Sequence, residues 1–295
     1  MGHRILYIPA ILAESKYQTA GIFGGFIYRS TDAGATWNQT GISGNWLGIA
    51  VCSSGKYQTA VNNGGRIYRS DDYGITWSLV SITGAWYDVS MSASGQYQTA
   101  VTNGGLVYVS SDYGANWNRS SFSGSIAHIS VSSSGQYQVC VSLVNEGKVY
   151  VSSDYGVTWS LKYNGGVNVN GCAVSGDGKY MLAVWSYGKR IYRSTDYGQT
   201  WNAVGGTGYW RSASISEDGK HQVVGDINGV SVISHDYGVT WTNCGASCVA
   251  VSMSSSGKFI TKVKDHSSIY ISSDYGATWK TVGFGAYWFD VSISD

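Results

Sequence analysis

Residues 86–117 read WYDVSMSAS, GQYQTAVTN and GGLVYVSSDYGANW, three stretches in which apolar and polar positions alternate until Gly, Ser or Asn closes them. Alternation with a period of two, bounded by turn formers, predicts half-buried strands. Four strands fall in this one unit: 87–93, 97–101, 106–110, and a fourth beginning at Trp117.

The same pattern returns along the whole chain. Each unit carries a Ser-x-Asp-x-Gly-x-Thr-Trp box, as in SSDYGVTW at 152–159, and the box aspartates are Asp32, Asp72, Asp112, Asp154, Asp196, Asp236 and Asp274. Their spacings are 40, 40, 42, 42, 40 and 38 residues. Four-stranded units of about 40 residues, repeated four to eight times, predict a β-propeller. A linear solenoid would need polar capping repeats, and the terminal units here look like the rest. The expectation is therefore an all-β, seven-bladed β-propeller forming one domain over 1–295, with the box between the third and fourth strands of each blade. The units run 5–44, 45–84, 85–124, 125–167, 168–208, 209–246 and 247–285.

Closure offers two candidates for one place. Residues 5–15 and 286–295 both resemble a first strand, giving eight such strands for seven blades. Trp288, Asp290 and Val291 match Trp86, Asp88 and Val89, whereas Pro9 lacks the N–H a ladder needs. The C-terminal strand is expected to complete the first blade.

Within the box, glycine supplies the positive φ that a tight turn requires. The Asp carboxylate is placed to accept turn N–H groups, with Ser and Thr hydroxyls adding bonds, and the Trp ring is expected to pack between neighbouring blades. This motif resembles the Asp box, or BNR repeat, of sialidase-type propellers, which recurs in sialidases, xyloglucanases, sortilin-type receptors and photosystem II assembly factors. The resemblance covers essentially the whole chain; Ala33 stands in place of the usual Tyr in the first box and Asn116 in place of Thr in the third. It implies that the seven aspartates are structural and lie on the face away from any ligand.

Sialidases of this kind use an arginine triad, a Tyr–Glu pair and an Arg-Ile-Pro motif. Here the single proline sits in Tyr7-Ile8-Pro9, and Arg29, Arg69 and Arg193 occupy one repeat position in three different units, so they cannot converge. A glycosidase needs two carboxylates roughly 5–9.5 Å apart. Asp88 and Asp290 share a repeat position and approach each other only if the C-terminal strand closes the first blade. No catalytic residue is assigned, and a sialidase-like or xyloglucanase-like glycosidase stays as an alternative to a non-catalytic module.

Composition narrows the partners. Among 295 residues there are 19 Lys plus Arg against 18 Asp plus Glu, for a net charge of +1 with the signs interspersed. That balance steers the chain toward neither nucleic acid nor anionic membrane. No run is long enough for a membrane span and the first residues do not read as a signal peptide, so a cytoplasmic monomer without cofactors is expected. Of five cysteines, Cys52, Cys140 and Cys172 lie in strand patterns as small hydrophobes, while Cys244 and Cys248 share a loop that suits a short disulfide or half of a metal site. No second cluster completes such a site, and no metal is expected. His128 and His266 read as polar surface residues.

The turns between first and second strands and the boxes are nearly uniform, while the connections on the opposite face vary from unit to unit. Binding belongs to such variable loops. At the start of the first strand the units show Leu6, Trp46, Trp86, Ile126, Val169, Trp210, Cys248 and Trp288, beside Asp88, Arg211 and Asp290. The four tryptophans are either wedges between blades or flat platforms for a sugar or a protein hot spot. The sequence thus points to a recognition module for carbohydrate or protein, with Trp46, Trp86, Asp88, Trp210, Arg211, Trp288 and Asp290 as candidate contacts. An assembly factor resembling the photosystem II propellers, or an amplified or engineered scaffold without a ligand, fits the same pattern.

Overall fold

The structure, a computed structural model, describes residues 17–286 apart from 22, 32–37, 143–146, 167–168, 187 and 265–266. The box at Asp32, the 5–15 segment, Asp265, His266 and the closing strand with Trp288 and Asp290 therefore lie outside the described residues, 286 excepted.

Every described element is a strand and every pairing is antiparallel between chain neighbours. The later units form separate four-stranded sheets, such as Val169–Val174, Met181–Trp185, Lys189–Ser194 and Asn202–Gly208 in sequential order. The first eight strands are counted as one sheet because three long strands change partner midway. Asn38–Val51 pairs through 38–45 with the preceding strand and through 46–51 with the following one. Ser78–Met91 changes partner between Ala85 and Trp86 in the same way. The fourth strand of one unit thus runs directly into the first strand of the next.

Neighbouring units are joined by side chains at fixed repeat positions. Thr59 Oγ1 donates to Gln98 Oε1 at 2.6 Å and Thr99 Oγ1 to Gln138 Oε1 at 2.7 Å, all four residues being buried. Where one partner becomes apolar the other follows: Val139 faces Met181 in one apolar cluster, and Val223 joins Ile260 in another. One seam breaks the rule. Leu182 stands where a threonine hydroxyl would donate, and the buried Oε1 of Gln222 has no partner among the described residues. An unpaired buried acceptor costs about 1–3 kcal/mol. Gln222→Met, which copies the Val139–Met181 seam, is expected to leave the urea midpoint unchanged or raise it. A fall equivalent to more than about 1 kcal/mol would show that the remaining Gln222 Nε2–H to Gly219 O bond outweighs the orphaned acceptor.

The free edge of each innermost strand is also met by its neighbour. Asp88 Oδ2 accepts the Ile129 N–H at 3.2 Å and Ser90 Oγ the Val131 N–H at 3.2 Å. Ser212 and Ser214 do the same for Val251 and Met253 at 3.2 and 3.1 Å. Where the position is Gly48 or Gly171, an added Cβ would stand 3.1 Å from Val89 N or 2.9 Å from Arg211 O. These glycines are required by close approach of the next inner strand.

The sixth unit is cut short: its fourth strand is only Thr242–Asn243, and Cys248 takes the tryptophan position that follows. Lys262, 2% exposed, occupies the space. Its Nζ donates to Cys244 O at 2.8 Å and sits 3.8 Å above the Trp279 ring, a cation–π contact. Burial pushes the ammonium pKa down and the Cys244 and Cys248 thiols up to about 11 each. All five cysteines are free thiols.

Candidate functional site

In the described boxes the polar groups bond locally, Trp77 Nε1 excepted, which has no partner among the described residues. Asp154 Oδ1 accepts Ser152 Oγ–H at 2.8 Å and Thr158 N–H at 2.9 Å, while Oδ2 accepts Thr158 Oγ1–H at 2.6 Å. Ser152 Oγ in turn accepts the Gly156 N–H at 2.9 Å, and Trp159 Nε1–H donates to Gly156 O at 2.9 Å. Asn116 replaces the threonine at the third box through its own Nδ2–H to Asp112 Oδ2 bond at 2.7 Å. Tyr155 and Gly156 both adopt left-handed backbone, at φ 63° and 80°, and the other described boxes repeat this pair. A bulky left-handed residue is uncommon. Here the turn's own hydrogen bonds hold it, and its ring packs 4.3 Å from Tyr97 of the preceding unit.

The box arginines are engaged separately, Arg29 and Arg193 across a seam and Arg69 within its own box. Arg29 Nε–H donates to Tyr73 O, Arg193 donates to Tyr237 O at 2.7 Å, and Arg69 pairs with Asp71 at 2.7 Å. They do not meet.

The variable side presents a different arrangement. The innermost strands line a central cavity of about 300 Å³, which takes in Leu47, Tyr87, Asp88, His128, Asn170 and Arg211. Each of five first strands begins with a register shift: between Trp46 and Gly48, Trp86 and Asp88, Val169 and Gly171, Trp210 and Ser212, and opposite Val141/Ser142 for the strand starting at Ile126. The extra residue is Leu47, Tyr87, Asn170, Arg211 and Ala127 respectively. A bulge re-aims a side chain and interrupts pairing. Here it recurs where the first strand starts, at a position whose residue differs in every one of these units.

Trp46, Trp86 and Trp210 sit one residue before the bulge and are 0, 0 and 3% exposed. At that exposure the three rings are packed as the wedge reading expects, with Trp210 also reaching the wall of a second cavity beside Asp226 and Trp241. Trp46 Nε1–H donates to Gly25 O at 3.2 Å and Trp210 Nε1–H to Lys189 O at 2.8 Å, while Trp86 Nε1 is buried without a partner. Asp88 and Arg211 do line the cavity. Both Asp88 oxygens already accept backbone N–H groups, from Val89 at 2.8 Å and from Ile129, and His128 Nδ1 lies 3.5 Å from Oδ2. His128 is thus half-buried in the cavity wall, packed edge-on against Tyr87, rather than a plain surface residue. Tyr87, Asn170 and Leu47 were missed because a bulge is invisible in an alternating pattern; the signal was there, as a column more varied than the tryptophan column beside it.

The BNR-Asp box repeat family matches residues 67–82 and the BNR/Asp-box repeat family residues 192–203. No curated protein sequence matches the chain. Among solved structures, YCF48 from Cyanidioschyzon merolae is 15% identical with a TM-score of 0.61 over 80% of this chain and 84% of its own. A structure of YCF48 bound to D1 peptide gives 15% and 0.63 over 95% and 92%. The GH74 xyloglucanase from Xanthomonas campestris gives 15% and 0.67, covering 93% of this chain and 52% of that one. These likenesses are to the fold. The alternating strands, the repeated boxes and the propeller neighbours agree, and the chain is an all-β protein of BNR-type Asp-box repeats folded as a β-propeller.

Proposed function

We propose that this protein is a non-catalytic recognition module, a closed seven-bladed ring that seats a protein or glycan segment at the mouth of its central cavity. The observation that carries this reading is the repeated bulge, which gives five of the described inner strands one extra residue and places four of these, Leu47, Tyr87, Asn170 and Arg211, on the cavity wall. A uniform scaffold with one varied position per blade suits recognition better than chemistry. The engagement of both Asp88 oxygens by backbone N–H groups favours the non-catalytic reading over a glycosidase. The burial of three tryptophans removes the best sugar platforms and favours a polar peptide, and the similarly folded YCF48 has a structure titled with a bound D1 peptide. Peptide and glycan arrays, run beside an aryl-glycoside panel, test the reading. Binding is expected to fall at least tenfold in Tyr87→Ala and Arg211→Ala with the melt unchanged, and hydrolysis to stay at the no-protein blank. Turnover lost on replacing Asp88 would overturn it.

Ring closure has its own test. Thr261 repeats the position of Thr59 and Thr99, and its buried hydroxyl has no partner among the described residues. In a closed ring its neighbour is the first unit, where Gln18 pairs with Ser30 as Gln98 pairs with Ser110. Thr261→Val and Gln18→Met are each expected to destabilise, with a coupling of about 0.5–3 kcal/mol in the double variant. Strict additivity, or an unchanged melt on deleting 286–295, would exclude closure at this seam by the C-terminal strand.

A further inference from the structure

The sixth unit departs from the repeat at two positions, and the two departures meet. Where the earlier units carry Tyr17, Tyr57, Tyr97, Tyr137 and Tyr180, it has His221; where the other described boxes have Asp71, Ser111, Ser153, Thr195 and Ser273 before or beside the box Asp, it has His235. Their Nδ1 atoms are 2.9 Å apart, with ring centroids 5.1 Å apart at 66°. His235 is exposed and His221 half-buried against the Tyr275 ring of the seventh unit, 4.8 Å away.

The fold requires neither histidine. A tyrosine at 221 would make the same stack that Tyr97 makes with Tyr155, and serine serves at the other position in three described units. As they stand, one Nδ1–H donates to the other Nδ1. The same separation suits two ligands bound side by side. Ring nitrogens at about 2.0–2.1 Å from one cation lie about 2.9 Å apart at the near-90° angle of tetragonal Ni²⁺ or Cu²⁺ coordination, and the wider tetrahedral angle of Zn²⁺ opens them to about 3.3 Å.

We propose that His221 and His235 form a surface site for a borderline divalent transition-metal ion, of the Zn²⁺, Ni²⁺ or Cu²⁺ type, at the seam between the sixth and seventh units. Binding needs both Nδ1 lone pairs, so the donating imidazole shifts its proton to Nε2 and no net proton is released from the neutral pair. The Asp218 carboxylate is already held by Ser216 Oγ–H and Lys220 N–H. No group of three His, Cys, Asp or Glu stands together among the described residues, so water completes the coordination. Imidazole nitrogen selects these ions over Mg²⁺ and Ca²⁺, which prefer oxygen.

Calorimetric titration of the full chain carrying His3→Ala, with Zn²⁺ and Ni²⁺ and with Mg²⁺ as control, tests the site. One equivalent is expected to bind Zn²⁺ or Ni²⁺ and raise the melting temperature, with no response to Mg²⁺. His221→Tyr and His235→Ser install residues the other units carry, and their metal-free melts verify folding. Each is expected to weaken binding at least tenfold and to abolish the metal-dependent rise in melting temperature. Binding of equal affinity in both variants, or no binding in the parent, would overturn the proposal.

Discussion

Asp236→Ala and Asp154→Ala are expected to cost about 1–3 kcal/mol each at pH 7, and the gap to the parent protein is expected to close as the pH is lowered toward 2. The reasoning starts from the turn. Partial desolvation raises each carboxyl pKa, but the Thr hydroxyl, the Thr amide and the Ser hydroxyl together outweigh it, and hold Asp72, Asp112, Asp154 and Asp196 below the usual carboxylate value, with Asn116 acting for Thr at the third box. At Asp236 the result is about 2, and at Asp274 the Thr278 hydroxyl leads the same set of donors to about 2. A carboxylate whose folded pKa is depressed stabilises the fold above its unfolded pKa, near 3.9, and loses that contribution as pH falls through the folded value. The window is thus about pH 4 down to pH 2. That window holds at Asp236 and Asp274, and the other four described boxes are shifted in the same direction, so the melting temperature of the parent should drop as the pH falls below about 4. The boxes are largely exposed, and added salt should soften the effect. Urea titrations at pH 7, 4 and 2.5 measure it. A parent-to-variant gap that stays constant down to pH 2.5 would mean that the carboxylate is not what the turn depends on.

The same boxes show how far the sequence can be read. Alternation closed by Gly, Ser and Asn is a local signal, and it was sufficient for four antiparallel strands per unit because each unit repeats it. The left-handed tyrosine was not legible: nothing in the identity of Tyr155 announces φ 63°, which the surrounding hydrogen bonds impose. Lys262 was not legible either. A lysine in a strand ordinarily reads as an outer-face residue, and its burial follows from a shortened strand elsewhere, at Thr242–Asn243, and from the loss of a tryptophan at Cys248. At the cavity, the tryptophan column that sequence spacing singles out is buried, and the residues just after it line the wall. Period-two alternation assigns Trp86 and Tyr87 to opposite faces without saying which face is open, and the bulge between Trp86 and Asp88 decides that. Asp88 and Arg211 entered the candidate set as neighbours of tryptophans; Asp88 lines the cavity just after a bulge and Arg211 as the bulged residue itself.

Replacing Trp46, Trp86 or Trp210 by alanine is therefore expected to cost about 3–5 kcal/mol, the range for deleting a buried aromatic side chain. Each ring fills a seam: Trp46 packs with Ile27, Ile49 and Ala60, Trp86 with Val61, Val89 and Ala100, and Trp210 with Leu182, Ile191 and Val224. Phenylalanine separates their hydrogen bonds from their volume. At Trp210 it also removes the 2.8 Å donor to Lys189 O, whereas at Trp86 it removes a buried N–H that has no partner. The Phe penalty should consequently be larger at 210 than at 86, by about 1 kcal/mol. Urea midpoints at constant m-value measure both differences. Tyr87→Ala, one residue away, should leave the midpoint within about 0.5 kcal/mol of the parent, since the bulged side chain lines the cavity and meets the next unit through an edge-on contact with half-buried His128. If Trp210→Ala melted like the parent and lost binding to a glycan that the parent holds, the tryptophans would be platforms after all, and the bulged column would be the scaffold.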